Sequence, residues 1–354
     1  MNEYAQKIKD TLTARYRDEE WPALLRQTDE WSVTRPLEGL RILDATPLYS
    51  NTLGKFMALL AAGAEVYVPW RYQLPLDQSV LDRLGEYGVK RARRGDDNFD
   101  IVLDCSGQCA QLHPTLGFCE LTRSGVSRYE RVHSPVFIVD SSRIKRIEAV
   151  LGTGESFFRA LSQLGHSDVE GRRLLVVGYG KVGHGITYYA RKNGMKVTVA
   201  DEIDKSGELP GDVAFVNTGD PEAFREAVLH SWCVVTATGK ISALRHKLDA
   251  PAVIESPVLL ANMGVEDEYG SAIPNHRVLN NKHPLNFILD DPTSMRFIDA
   301  TMALHNACAL ELLIQDLPHR ALSPSPDIEK HILDTVREKG IISSDLEVVN
   351  SEAL

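Results

Sequence analysis

The stretch from Leu174 to Asp204 restricts the fold of this chain more than any other. Four apolar residues, Leu174–Val177, lead into a glycine-rich turn, a helical stretch follows, and a second apolar run ends in an acidic residue. An apolar strand on each side of an amphipathic helix is typical of a βαβ unit, in which the two strands are parallel. We therefore expect an α/β fold built on parallel sheet.

The turn itself has glycines at a spacing that suits a phosphate group. Its residues are Gly178-Tyr179-Gly180-Lys181-Val182-Gly183, which fit G-x-G-x-x-G between a strand and a helix. The first glycine permits a tight turn, the second lets a diphosphate approach the backbone, and the third lets the helix pack closely on the strand. The helix N-terminus adds unpaired N–H groups and a partial positive charge. The pattern predicts a dinucleotide site; the alternative is a glycine turn that binds nothing.

An acidic residue follows this turn at the distance that indicates which dinucleotide is bound. Asp201 ends the second strand about 20 residues after the glycines, and Glu202 is beside it as a second candidate. A carboxylate there accepts hydrogen bonds from the ribose hydroxyls and repels a 2′-phosphate. We expect the cofactor to be NAD, with Asp201 as a ligand of its ribose.

Strand-like and helix-like segments alternate on both sides of this unit. Strands are predicted at 40–43, 64–68, 101–103 and 136–139, and again at 197–200, 213–215, 233–236, 258–262 and 278–280. Helices are predicted at 52–62, 142–164, 295–317 and 328–339. The chain should form two doubly wound, Rossmann-like parallel-sheet domains joined by bridging helices. We place the first at 1–150, completed by the helix at 295–317, the second at 151–292, and a linker, short helix and tail at 318–354.

Composition and charge restrict the partners. A formal net charge of −10 argues against a large nucleic-acid or anionic-membrane surface, and the basic run 90–94 is predicted to be a solvated turn. We find neither a signal-peptide pattern nor an apolar run approaching the ~20 residues that a membrane span needs. Five cysteines fit a reducing cytoplasm. Cys105, Cys109 and His113 lack a suitably spaced fourth ligand, so we predict no metal site.

The motifs together resemble those of the S-adenosylhomocysteine hydrolase family. The glycine turn is similar to that family's G-Y-G-D-V-G-K-G, with Lys181 and His184 differing. Further similar segments follow in the family's order: Asp140-Ser141, Gly152 to Ser156, Val235 to Gly239, Ala261 to Gly264, Asn280, His283-Pro284 and the helix from Ala303 to Leu313. The resemblance is good over 140–315, faint over 40–125, and not seen in the tails.

The resemblance implies a substrate domain over the first 150 residues, an NAD domain after it, and two hinge segments. It places Thr236, Ala237 and Thr238 beside the nicotinamide ribose, and Asn262 and Asn280 at strand ends near the cofactor. In the family, tightly held NAD oxidises a ribose hydroxyl, which acidifies the neighbouring C–H so that the β-substituent can leave; water then adds and NADH reduces the ketone. The precedent also implies a homodimer or a higher homo-oligomer.

The chain departs from the family where the substrate should bind. Three polar residues that the family carries on its bridging helix fall on Ile144, Glu148 and Ala149. One of its histidines falls near Pro47 and another falls on Val265. A pocket that has lost its polar groups rejects the ligand that needed them. We therefore expect a small-molecule substrate other than S-adenosylhomocysteine.

Three residues remain as candidates for proton transfer. His283 is either a general base or the cap of a turn, and Lys145 either shares a proton with the oxidised hydroxyl or is a surface lysine. Glu148 either carries a proton or forms an ordinary i,i+3 ion pair with Lys145. Asp104 and Asp140 end strands, where they would bind a ligand or cap the next turn. Three hypotheses stay open: a redox-neutral or other NAD-dependent enzyme of this type, an ordinary dehydrogenase that releases NADH, and a non-catalytic NAD-binding regulator or scaffold.

Overall fold

The computed structural model describes residues 2–350. These residues form two compact units: unit 1 contains 2–147 and 295–346, and unit 2 contains 148–294 and 347–350. The chain therefore enters unit 2 within the helical segment that follows Ser142 and returns to unit 1 at Met295.

The strands, in chain order, are β1 (Arg41–Asp44), β2 (Glu65–Val68), β3 (Lys90–Arg91), β4 (Ile101–Asp104), β5 (Gly117–Glu120), β6 (Val136–Ile138), β7 (Arg173–Val177), β8 (Lys196–Asp201), β9 (Ala214–Asn217), β10 (Cys233–Thr236), β11 (Leu259–Asn262) and β12 (Ala321–Leu322). The α-helices are α1 (Glu3–Thr13), α2 (Pro22–Thr34), α3 (Thr52–Ala61), α4 (Gln78–Arg83), α5 (Ile144–Arg146), α6 (Thr153–Gln163), α7 (Lys181–Lys192), α8 (Pro221–Leu229), α9 (Ala250–Glu255), α10 (Met295–Glu311), α11 (Pro326–Lys339) and α12 (Leu346–Asn350).

Unit 1 is built on a sheet of seven parallel strands in the order β12-β6-β5-β4-β1-β2-β3. The strand order reverses between β1 and β4, and open α/β sheets bind ligands in the crevice at such a switch point. Asp44 and Asp104 end these two strands, and Asp44 lies opposite Leu103 in the register. The side chains of Asp44 and Asp104 are both fully buried at this switch point.

Unit 2 is built on five parallel strands in the order β11-β10-β7-β8-β9. Here the order reverses between β7 and β10, so the glycine turn after β7 lies beside the loop that begins at Ala237. Leu174 and Val176 belong to one buried cluster, and Leu175 and Val177 belong to another. Both faces of β7 are covered, which explains its continuous apolar sequence. The predicted fold class, two parallel-sheet α/β units, is confirmed.

Glycines let the helical segment at the start of unit 2 approach α7 closely. A Cβ on Gly185 would lie 2.0 Å from the carbonyl oxygen of Val150, and one on Gly154 would lie 2.5 Å from the backbone of Gly185. The predicted helix at 142–164 is not continuous here, because Ile147–Gly152 forms a π-helical turn between α5 and α6. Such turns occur frequently at functional sites.

The prediction of a strand at 278–280 is wrong. The chain forms two 3₁₀ turns instead, Asn275–Arg277 and Leu279–Lys282, and Asn280 has a left-handed backbone with φ of +53°. Asparagine adopts this conformation more readily than most residues, because its side chain bonds locally. A short apolar-polar pattern does not reveal whether a strand has a neighbour to pair with.

Several other boundaries also differ from the sequence predictions. The strand β5 has no counterpart among the predicted strands, the basic run 90–94 begins with the edge strand β3, and the expected linker 318–325 contains β12, which pairs with β6. The helix expected to reach residue 317 ends at Glu311. Very short edge strands leave little pattern in a sequence, because only their neighbours define them. No helix within residues 2–350 is long and apolar enough to cross a membrane.

Candidate functional site

The glycine turn of unit 2 has the geometry that the spacing predicts. Gly178 has φ of +95°, and a Cβ on it would lie 2.7 Å from the carbonyl oxygen of Ala237, so only glycine fits there. Gly183 packs so tightly that an added Cβ would lie 2.0 Å from the oxygen of Gly178. Gly180 differs from both: a Cβ on it would meet no atom within 4 Å. The backbone at Gly180 therefore faces open space that a ligand can fill.

Gly180 is also the N-cap of α7, so this end of the helix has no side-chain cap. The helix continues for 12 residues, with Lys181 and Val182 in its first turn and half-buried. Unpaired N–H groups and the helix dipole together favour an anion at this position. These features fit a diphosphate.

Asp201 connects the end of β8 to the glycine turn. Its Oδ2 accepts the backbone N–H of Tyr179 at 2.9 Å, and its Oδ1 accepts the N–H of Ile203 at 3.1 Å. Each carboxylate oxygen can accept a further hydrogen bond, and the side chain is only half-buried. Asp201 can therefore shape the turn and still bind ribose hydroxyls.

An open cleft of about 480 Å³ lies over the turn. It is lined by Val177 to Gly180, Asp201, Glu202, Thr218, and residues of the segment 237–247. The cleft brings together Gly178, Tyr179, Gly180, Asp201, Ala237 and Thr238 from the predicted cofactor residues.

Two lysines that the sequence reasoning did not select converge on Glu202 in this cleft. Lys240 Nζ lies 2.8 Å from Oε2 of Glu202, and Lys247 Nζ lies 2.6 Å from Oε1. Lys247 Nζ also donates to Thr218 Oγ1 at 3.1 Å. Hydrogen bonds from Lys240 and Lys247 lower the pKa of the Glu202 carboxyl to about 2. The end of the cleft beside β8 thus carries a Glu202 carboxylate paired with two ammonium groups.

A buried carboxylate, also missed from the sequence, supports the loop after β10. Glu268 is fully buried, and its two oxygens accept the N–H groups of Thr238 at 2.9 Å and Gly239 at 2.7 Å. Burial raises the pKa of Glu268, while these hydrogen bonds oppose the rise. Nothing in the local sequence distinguishes Glu268 from a surface acid, because its partners lie 30 and 29 residues away.

Two of the predicted cofactor residues lie at the ends of β10 and β11 and do not line the cleft. Thr236 and Asn262 are fully buried, and Thr236 Oγ1 donates to Asn262 Oδ1 at 3.0 Å. Asn262 Nδ2 donates to the carbonyl of Lys282 at 2.7 Å. In this arrangement they connect the ends of β10 and β11 to the loop that contains Asn280 and His283.

That loop is held in an unusual backbone conformation. Asn280, Asn281 and Lys282 all have positive φ, at +53°, +51° and +72°. Lys282 is buried and fixes the loop by bonding Asp267 Oδ2 at 2.9 Å and the carbonyl of Gly270 at 2.7 Å. Three consecutive left-handed residues are strained, and such strain persists only where surrounding contacts impose it. His283 follows directly, with its side chain exposed.

The other two candidates for proton transfer lie where the chain passes between the units. Lys145 is in unit 1 and only 5 % exposed, so the alternative that it is a surface lysine is wrong. Its charge contributes, after burial and Lys55, to lowering the pKa of His305. Glu148 is half-buried at the beginning of unit 2, and its carbonyl accepts a hydrogen bond from Thr153 Oγ1 at 3.3 Å.

The strand ends of unit 1 carry further buried polar groups. Asp104 accepts hydrogen bonds from Tyr129 Oη at 2.5 Å and from the N–H groups of Cys105 and Cys109 at 2.7 and 2.8 Å. Burial, with neighbouring Glu120, raises the pKa of Asp104 to about 7. Of the two alternatives for this residue, the structure supports capping of the next turn. No group of three or more His, Cys, Asp or Glu residues that could hold a metal ion occurs within 2–350.

The sequence comparison finds relatives that act on homocysteine nucleosides by name. The chain is 26 % identical over 289 residues to an adenosylhomocysteinase of Thermoplasma acidophilum, covering 72 % of this chain and 69 % of the relative. It is 29 % identical over 302 residues to an S-inosyl-L-homocysteine hydrolase of Methanopyrus kandleri (74 % and 69 %), and 27 % over 274 residues to the adenosylhomocysteinase of Thermococcus kodakarensis (69 % and 64 %). The matched regions thus span about two thirds of the relatives' length. No family model matches.

Among solved structures, a dipicolinate synthase component from Bacillus halodurans has a TM-score of 0.51 at 11 % identity, over 78 % of this chain and 99 % of that one. This likeness and the two parallel sheets define the chain as an α/β protein of the Rossmann type. Within that class, it is a distant homologue of the adenosylhomocysteinases and of S-inosyl-L-homocysteine hydrolase.

Proposed function

We propose that the chain binds NAD in the cleft over residues 178–183 and uses it to oxidise a hydroxyl group of a small molecule other than S-adenosylhomocysteine. The observation that carries the proposal is the glycine turn at the switch point of unit 2. Its backbone at Gly180 faces open space, beside the uncapped N-terminus of α7, with the Asp201 carboxylate at the end of the next strand.

Different residues of the cleft would bind different parts of the dinucleotide. The N–H groups at Gly180 and in the first turn of α7 would hold the diphosphate, and Asp201 would accept hydrogen bonds from the adenosine ribose. Ala237 and Thr238 would border the nicotinamide half, and Glu268 holds the backbone N–H of Thr238. When bound, NAD supplies the acceptor for a hydride.

Oxidation of a hydroxyl also requires a group that takes its proton. We assign this role to His283 or Lys145, with Glu148 as an auxiliary acid or base. His283 is exposed on a loop whose backbone is fixed by Asn262 and Lys282. Lys145 is a buried residue of unit 1, close in the chain to the start of unit 2. These roles rest on the resemblance and, for His283, on the exposure of its side chain.

The proposal that the substrate differs from that of the named relatives rests on apolar side chains. Ile144 is fully buried, and Val265 is exposed, at positions where the resemblance implies polar residues. Neither side chain donates or accepts a hydrogen bond, so a ligand that depended on those groups would leave its own polar atoms unpaired.

An absorbance spectrum of the purified protein from 260 to 360 nm, followed by NAD titration in a calorimeter, tests the proposal. We expect bound or bindable NAD, and a transient signal at 340 nm when the right nucleoside, sugar or hydroxy acid is added. Steady accumulation of NADH would indicate an ordinary dehydrogenase instead. Failure to bind NAD would refute the proposal, and rapid cleavage of S-adenosylhomocysteine would refute its substrate part.

A further inference from the structure

We propose that Glu202 covers a phosphate-binding site formed by Lys240, Lys247 and Thr218, and that Glu202 thereby sets the preference of this cleft for NAD over its 2′-phosphorylated form. The inference rests on the proposed function, since it concerns the adenosine end of the same cleft. It assigns the choice between NAD and NADP to Glu202, which Lys240 and Lys247 hold, as well as to Asp201.

The location of the cluster supports this assignment. Glu202 directly follows Asp201 at the carboxyl end of β8, where the adenosine ribose lies in folds of this type. Both lysines reach that point from the segment after β10, and both line the cleft. A phosphate on the 2′-oxygen of the ribose would therefore enter the space that the Glu202 carboxylate occupies.

The chemistry of the cluster matches a phosphate better than a single carboxylate. Each ammonium has three donors, of which Lys240 uses one on Glu202, at 2.8 Å. Lys247 uses one on Glu202, at 2.6 Å, and another on Thr218, at 3.1 Å. Two positive charges thus meet one negative charge. Three phosphate oxygens could accept from both lysines and from the threonine hydroxyl, which is how phosphates are usually held.

Glu202 is held in this position by side chains alone, whereas Asp201 is held by the backbone. Half of the Glu202 side chain is already exposed to solvent, so rotating it outward breaks two ion pairs, which a phosphate bound by both lysines would replace. Asp201 is fixed by two backbone N–H groups, from Tyr179 and Ile203. We infer that Asp201 contributes a constant charge, while Glu202 occupies or vacates the phosphate position.

The experiment compares the affinities for NAD and NADP, measured by titration calorimetry on the full chain. We expect the natural chain to bind NAD at least about tenfold more tightly than NADP. Glu202→Gln should raise the affinity for NADP by roughly tenfold or more and leave that for NAD within about threefold, because it removes one charge and keeps the shape. Adding Lys247→Met to this variant should abolish the gain.

Asp168→Asn is the matched control, since it removes the same charge from an exposed ion pair with Arg172 in unit 2, outside the cleft. Lys247→Met in the natural chain provides a second test if Glu202→Gln folds poorly. Lys247→Met should lower the affinity for NADP and leave the affinity for NAD unchanged. If NAD binds but Glu202→Gln and Lys247→Met leave NADP affinity unchanged, this inference is wrong while the proposed function stands. If the natural chain binds neither dinucleotide, both are wrong.

Discussion

The Asp201 carboxylate and the backbone N–H of Tyr179 are joined by a 2.9 Å hydrogen bond that ties the end of β8 to the glycine turn after β7. The second oxygen of Asp201 accepts the N–H of Ile203 at 3.1 Å. One acidic side chain therefore holds together the two strand ends between which a dinucleotide would lie. Its contribution to ligand binding and its contribution to the shape of the turn should be separable by substitution.

Asp201→Asn should keep one carbonyl oxygen for a backbone N–H but lose the charge and the second acceptor. We expect faster hydrogen exchange at the amide of Tyr179 or Ile203 and a loss of NAD affinity of about tenfold, equivalent to ~1.4 kcal/mol. Hydrogen exchange read by mass spectrometry and calorimetric titration measure the two effects. Unchanged NAD affinity in Asp201→Asn would show that Asp201 has only the structural role.

Gly180→Val and Gly183→Ala should separate ligand binding from folding. The Gly180 backbone is extended and its Cβ direction is open, so valine there should leave the stability of unit 2 nearly unchanged and prevent NAD binding by filling the approach to the backbone. Alanine at 183 would place Cβ 2.0 Å from the oxygen of Gly178 and should cost roughly 1–3 kcal/mol or more. Thermal denaturation and NAD titration together check both. Normal NAD binding by Gly180→Val would place the cofactor elsewhere.

The buried ion pair between Lys55 and Asp44 should be costly to break from one side only. Both side chains are at most 1 % exposed, and burial lowers the pKa of Lys55 while Asp44 opposes this. Lys55→Met would leave the Asp44 carboxylate buried without its counter-charge, at a cost of about 3–5 kcal/mol. The double variant Lys55→Met with Asp44→Asn should recover a substantial part of the lost free energy of unfolding. Urea denaturation of the natural chain, the two single variants and the double variant completes a double-mutant cycle. Additive losses of stability would contradict a direct coupling between Lys55 and Asp44.

Asp299 should make the stability of unit 1 depend on pH. Its oxygens accept the N–H groups of Ala23 and Leu24 at 2.9 Å each, at the start of α2, and burial raises its pKa to about 7. An unfolded aspartate has a pKa of about 3.9, so between about pH 4 and 7 the folded state binds more protons. The free energy of unfolding should therefore fall as pH rises through this window, by at most ~1.4 kcal/mol per pH unit from this group.

The measurement is urea denaturation at several pH values, comparing the natural residue with Asp299→Asn. In a Trp232→Phe background the remaining tryptophans, Trp21, Trp31 and Trp70, all lie in unit 1, so their fluorescence reports on that unit. The difference in the free energy of unfolding between the two proteins should change with pH between about 4 and 7 and stay constant outside this range. Glu338→Gln, an exposed acid of α11, is the control. A pH-independent difference would mean that Asp299 stays ionised throughout.

The sequence by itself determined the features that depend on neighbours along the chain. The apolar run of β7, the glycines at 178, 180 and 183, and the acid at 201 lie within one βαβ unit, whose geometry constrains the spacing of its parts. For this reason the parallel-sheet fold and the core of the candidate cofactor site could be predicted from the sequence alone.

The tertiary structure decided what depends on residues that are distant in the chain. Lys240 and Lys247 reach Glu202 from 38 and 45 residues away, because β10 pairs with β7 on the other side of the switch point. Glu268 supports Thr238 because β11 pairs with β10. Val278–Asn280 turns instead of pairing because the contacts of Asn262 and Lys282 fix the loop. Local pattern specifies an element, whereas long-range packing and charge pairing specify which side chains share a cleft.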